Sequence, residues 1–123
     1  MTRSQKALAA FFTFAGVMHF VVPRRYEAIV PDYVPFSPED AVKWSGVAEI
    51  AGGIAVVPTS TRRVAGPWVV ALLIAVFPAN VHMAVRPEEI RGLDLDRLPR
   101  WALWARLPLQ PLMMAWAWRA TRR

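Results

Sequence analysis

Four apolar blocks, at about residues 5–22, 41–57, 64–85 and 101–118, dominate this sequence of 123 residues. Each approaches the roughly 17–25 residues that carry a helix across a bilayer. Charged residues lie almost entirely between the blocks, so no block offers the polar face that a helix of a soluble bundle needs. The third block is the extreme case, with hardly a polar residue on any face. The expected fold is therefore all-α: an integral membrane four-helix transmembrane bundle, forming one domain over residues 1–123. The second block is at the short end, which calls for snorkelling flanks or a locally thinned bilayer. Pro23, Pro58 and Pro87 stand at block ends, where helix breakers belong.

The first block carries Arg3 and Lys6 ahead of its apolar run, as a signal peptide would. The residues that follow, Val21-Val22-Pro23, lack a small-x-small cleavage pattern, so a retained anchor is expected. Residues 23–40 mix aromatics, prolines and charges, too apolar a set to float freely. They are expected to fold back over the helix ends as an extracytoplasmic loop, with a short helix near 24–29. Residues 59–63 read as a tight polar turn, and 86–100 as a charged connection with acids and bases in balance.

Orientation follows from charge. Four crossings put the N-terminus, the 59–63 turn and the C-terminus on one side, which carries Arg3, Lys6, Arg62, Arg63, Arg119, Arg122 and Arg123 and no acid. The positive-inside rule then places both termini in the cytoplasm of a multi-pass protein of the bacterial cytoplasmic (inner) membrane. The formal net charge of +6 reads the same way, as basic membrane flanks, and the expected partner is the lipid bilayer with no role for nucleic acid. The six tryptophans sit mostly near block ends, as an aromatic belt would; Trp104 is placed to roof polar groups deeper in the bundle.

The polar residues well inside the blocks are His19, Glu49, Asn80, His82, Arg106 and Gln110. At about 1.5 Å per residue, the first five lie roughly 6–9 Å below the extracytoplasmic ends of their blocks, and Gln110 is one turn deeper. They are expected to form one layer. Glu49, the lone acid in any block, costs about 2.5–3.5 kcal/mol to insert as a charge, so it should be protonated or paired, with Arg106 as the expected partner. Gly16, Ser45, Gly46, Gly52 and Gly53 are small residues that let helices approach closely around Glu49 and His19. Pro78, Pro108 and Pro111 free backbone carbonyls that Arg106 or Asn80 can take up. A Glu49–Arg106 pair that holds two helices in register, a pocket for a head group or quinone, and simple snorkelling would all use these residues.

Cofactor and catalytic signals are sparse. His19 and His82 could supply two axial ligands to a haem, yet nothing else specifies a porphyrin pocket, so no haem is expected. A quinone is the cofactor class the polar layer suits. No metal site is expected, and no catalytic residue is assigned, since phosphate loops, nucleophile elbows and paired catalytic carboxylates are missing from the sequence. Cysteine is absent, which excludes thiol–disulfide chemistry within this chain.

Five short segments occur in order: Gly16-Val17-Met18-His19-Phe20, then Tyr26 with Ile29-Val30-Pro31, Ser45-Gly46 with Glu49-Ile50 and Gly53, Val76-Phe77-Pro78-Ala79-Asn80, and Arg106-Leu107-Pro108-Leu109-Gln110. Together, over about residues 8–118, they resemble DoxX-like membrane proteins. The resemblance implies a small four-helix membrane protein whose motif residues here are His19, Glu49, Asn80, Arg106 and Gln110. Such relatives include a subunit of an archaeal thiosulfate:quinone oxidoreductase and a mycobacterial partner of superoxide dismutase and a sulfurtransferase. The expected function is a non-catalytic membrane subunit or anchor of a redox or oxidative-stress complex, with a polar quinone- or lipid-binding layer in the outer half. A soluble or membrane redox partner and a homo-oligomer are both compatible with it. The alternatives are a stand-alone small-molecule transporter or channel, or a quinone-linked oxidoreductase.

Overall fold

The first helix begins where its backbone donors can be met. Thr2 accepts from the Gln5 N–H (3.1 Å) and the Gln5 side chain accepts from the Thr2 N–H (3.0 Å), a reciprocal capping box. The computed structural model describes residues 1–27, 30, 34–85 and 100–122. Among these residues six helical segments occur and no strand: α1 (Arg3–Val21), α2 (Pro23–Glu27), α3 (Pro38–Ala55), α4 (Thr59–Val85), α5 (Arg100–Ala105) and α6 (Leu109–Thr121). Much of the charged connection, 86–99, and positions 28–29 and 31–33 of the first loop lie outside the described residues. The short helix expected near 24–29 corresponds to α2, which packs on α1 and α3.

α3 lies between α1 and α4, and α4 lies between α3 and α6. α6 closes back on α1 at the end that carries both termini. There Gln5 Nε2 donates to the Ala120 carbonyl (2.9 Å) and the Trp116 indole donates to Ser4 Oγ (2.7 Å). Leu8, Phe12, Val56, Ala65, Val69, Leu73, Ala117 and Ala120 form the buried core in this half of the bundle. The α1–α3 contact is the most extensive, and glycine permits it. A Cβ on Gly16 would stand 2.7 Å from the Gly46 carbonyl oxygen and 2.8 Å from the Ile50 amide nitrogen. One on Gly53 would stand 2.7 Å from the Thr13 amide nitrogen and 2.9 Å from the Ala9 carbonyl oxygen. Backbone therefore meets backbone with no room for a side chain. Gly52 faces α4 instead, where it leaves space for Trp68, whose indole donates to the Ala48 carbonyl (2.9 Å).

Two helix boundaries depart from expectation. Residues 59–63 are not a free turn but the first turn of α4, and the reversal occupies Val56 to Pro58. Arg62 decides this: its guanidinium donates to the Val56 and Val57 carbonyls (2.8 Å each), so the end of α3 is capped from within α4. The block at 101–118 is not one helix. It breaks at residues 106–108, because Pro108 has no N–H and its ring disfavours helical geometry at Leu107. The chain crosses the break through tighter bonds, Leu107 N–H to Trp104 (3.2 Å) and Leu109 N–H to Arg106 (3.2 Å).

Prolines inside α4 break nothing. Pro67 removes the donor for the Arg63 carbonyl, and the Arg122 guanidinium supplies another. Arg122 also stacks over the Trp118 ring, 4.3 Å from its centroid. Pro78 removes the donor for the Ile74 carbonyl. At the neighbouring carbonyl, Leu73, Gln110 Nε2 donates (3.4 Å).

Among the described residues α4 is the one helix long and apolar enough to cross a membrane, over Thr59–His82. The expected four-span arrangement exceeds that, because α3 carries Glu39, Asp40, Lys43 and Glu49 and the last block is split.

Candidate functional site

The end of the bundle away from the termini holds His19, Ser45 and Glu49. α1 brings His19 there one turn after Gly16, and α3 brings Ser45 and Glu49 on one face. The close approach at Gly16 and Gly46 sets the two faces against each other. His19 Nδ1 lies 2.7 Å from the Ala15 carbonyl oxygen and 3.1 Å from Glu49 Oε2. A carbonyl only accepts, so Nδ1 carries the proton, and Nε2 faces Ser45 Oγ at 3.4 Å. Glu49 Oε2 is buried and has no directed hydrogen bond, so its contact with the imidazole is electrostatic. Whether the proton arrangement is imidazolium with carboxylate or imidazole with carboxylic acid, the pair has no net charge, which apolar surroundings demand.

α2 contributes Tyr26. Its ring stacks on the His19 imidazole, with centroids 4.0 Å apart and planes 19° from parallel. Burial pushes the Tyr26 phenol above the ordinary tyrosine range. The Glu49 carboxylate adds to that shift and the Arg106 guanidinium opposes it. Tyr26 is thus tied to His19 by ring stacking and influenced by the charges of Glu49 and Arg106.

The expected ion pair is corrected by this geometry. Among the described residues the ion pair of Glu49 is with His19, three residues beyond the α1 glycine. Arg106 stands exposed in the 106–108 turn, because the helix break at Pro108 turns that position away from the axis of α6. Gln110 is buried at the start of α6 and bonds backbone. Asn80 and His82 are half-buried on α4. Of the small residues, Gly16, Gly46 and Gly53 lie on the α1–α3 contact, Gly52 lies against α4, and Ser45 faces His19.

Tyr26 is the group that residue-by-residue reading of the blocks missed. A signal exists: it follows His19 by seven residues, two helical turns, and Pro23 restarts the helix between them. A cleft of about 220 Å³ opens beside the cluster, lined by His19, Phe20, Pro23, Glu39, Val42 and Lys43. Among the described residues no group of three His, Asp or Glu side chains is arranged to hold a metal.

Residues 8–121 match the family model described as Domain of unknown function (DUF8561). The chain belongs to this family. Among curated proteins and among solved structures nothing matches the chain. The DoxX-like resemblance is therefore overturned: the family that spans the chain is DUF8561. The reason is visible in the fold. The five segments combine glycines that two helices need in order to touch and prolines such as Pro78 and Pro108 at a kink and a helix end with aromatic and aliphatic residues. Any close-packed bundle of small apolar helices calls for such residues, so their order does not identify one family.

Proposed function

We propose that this DUF8561 protein is a multi-pass membrane protein that binds the head group of a membrane-soluble amphiphile, a quinone or a lipid, in the cleft over His19. Assignment to a redox or oxidative-stress complex rested on the overturned resemblance and is not carried forward. The multi-pass reading is supported by where the apolar side chains point. Phe14 (66% exposed), Trp44 (67%), Val64 (67%) and Leu112 (63%) all face outward, one or more from each long helix. Only 22% of the most apolar stretch of α4 is buried, far less than in the core helix of a soluble protein. Uncompensated bases gather at the end with the termini, which supports reading that end as cytoplasmic and the cleft as lying at the opposite boundary.

The observation that carries the binding reading is the His19–Glu49–Tyr26 cluster against the cleft wall. His19 is held by Ala15, Glu49 and Tyr26, while its ring lines the cleft. A positioned imidazole beside the apolar Phe20, Pro23 and Val42 is suited to fixing one polar group of a ligand. The test is to purify the full chain from membranes in mild detergent and identify extracted lipids and quinones by mass spectrometry. The expected result is a stoichiometric amphiphile that His19→Gln loses while keeping its melting profile cooperative. Equal retention by both proteins, or no retained amphiphile in the wild type, would refute the reading.

A further inference from the structure

Glu39 and Lys43 stand four residues apart on the first turns of α3, with the acid preceding the base. That order favours closing a salt bridge along the helix. Among the described residues neither forms one. Both instead line the cleft, together with Val42, Phe20 and Pro23. The rim thus presents one anionic and one cationic group to whatever enters, while the walls are apolar and His19 lies within.

Resting on the binding reading above, we infer that the occupant is the zwitterionic head group of an ethanolamine-type phospholipid. Glu39 takes its ammonium and Lys43 its phosphodiester. The ammonium is singled out by the acceptors available. It offers three N–H donors, and the cleft supplies the Glu39 carboxylate to accept them. A choline head group has the same charges but no N–H to donate. A glycerol head group has hydroxyl donors but no cation for Glu39, and its net charge leaves that carboxylate opposed. The lipid source follows from the surroundings: Phe20, Val21, Phe36 and Trp44 are all exposed around this end of α1 and α3, where acyl chains would lie.

The experiment uses the full chain, delipidated in detergent and titrated with phosphatidylethanolamine, phosphatidylcholine and phosphatidylglycerol, with bound lipid counted by native mass spectrometry. Phosphatidylethanolamine should bind most tightly. Glu39→Gln should erase its advantage over phosphatidylcholine. Lys43→Gln should weaken both by roughly threefold to fivefold, the range for an exposed charge contact. Both substituted side chains are exposed, so the fold survives the change. Equal affinity for the three lipids, or variants that bind like wild type, would overturn the inference. So would competition by free phosphoethanolamine as strong as that of the lipid. If a quinone or phosphatidylglycerol is retained instead, and is still lost on His19→Gln, the head-group assignment fails and the binding reading stands. If His19→Gln changes nothing for any ligand, both fail.

Discussion

Replacing Gly16 by alanine tests the link between helix packing and the site most directly. The added Cβ would stand 2.7 Å from the Gly46 carbonyl oxygen and 2.8 Å from the Ile50 amide nitrogen, against an ordinary contact of 3.4 Å or more. Both neighbours are backbone, so no rotamer change relieves the clash. α3 must retreat by the difference, 3.4 less 2.7, or about 0.7 Å. A gap of that size forfeits a quarter to a half of the dispersion energy of the contacts it opens. Overpacking of this kind costs about 1–3 kcal/mol. Alanine returns about 1 kcal/mol through its better helix propensity, leaving a net loss of up to about 2 kcal/mol. Gly52→Ala is the control: its Cβ meets only the Trp68 and Val69 side chains at 3.0 Å, and those can shift. Thermal melting in detergent, followed by tryptophan fluorescence, should rank Gly16→Ala below wild type and Gly52→Ala close to it. His19 lies one turn from Gly16, so Gly16→Ala should also weaken amphiphile retention. A Gly16→Ala protein that melts at or above the wild-type temperature would refute the close α1–α3 approach on which the site depends.

Other consequences concern the two ends of the bundle. His19→Gln and Glu49→Gln should each destabilise the protein, and the double variant should cost less than their sum by about 1–3 kcal/mol, because removing one partner strands the other in apolar surroundings; the Glu49→Gln and Arg106→Gln cycle should show a smaller coupling, and the reverse order would contradict the His19–Glu49 pairing. Arg122→Ala should lower stability by about 1–2 kcal/mol through loss of its bond to the Arg63 carbonyl and its stacking on Trp118. Adding Pro67→Ala, which restores a helical donor to that carbonyl, should recover part of the loss in chemical denaturation. Tyr26 supplies a pH signature: its phenol titrates above the ordinary 10.0, so the folded state holds that proton more tightly than the unfolded chain. Its contribution is present in full below about pH 10 and falls away as pH rises through the folded value. Melting curves from pH 9 to 11 should therefore lose stability more steeply for wild type than for Tyr26→Phe.

Hydrophobicity alone determined that this chain forms apolar helices joined by charged segments, since that pattern runs along one dimension and needs no partner to read. It also picked out His19 and Glu49 as polar groups inside apolar blocks, which needs only their position along the chain. The partner of Glu49 was decided only in three dimensions. Each residue turns a helix by about 100°, so the neighbour a side chain meets depends on crossing angle and depth of approach. Here the Gly16–Gly46 contact turns His19, not Arg106, toward Glu49. Proline behaved likewise. Pro67 is accommodated in α4 because Arg122, 55 positions later in sequence, reaches the carbonyl it exposes, whereas Pro108 ends one helix and begins another. Local chemistry named the groups left wanting a partner, and only the packing of distant helices could supply it.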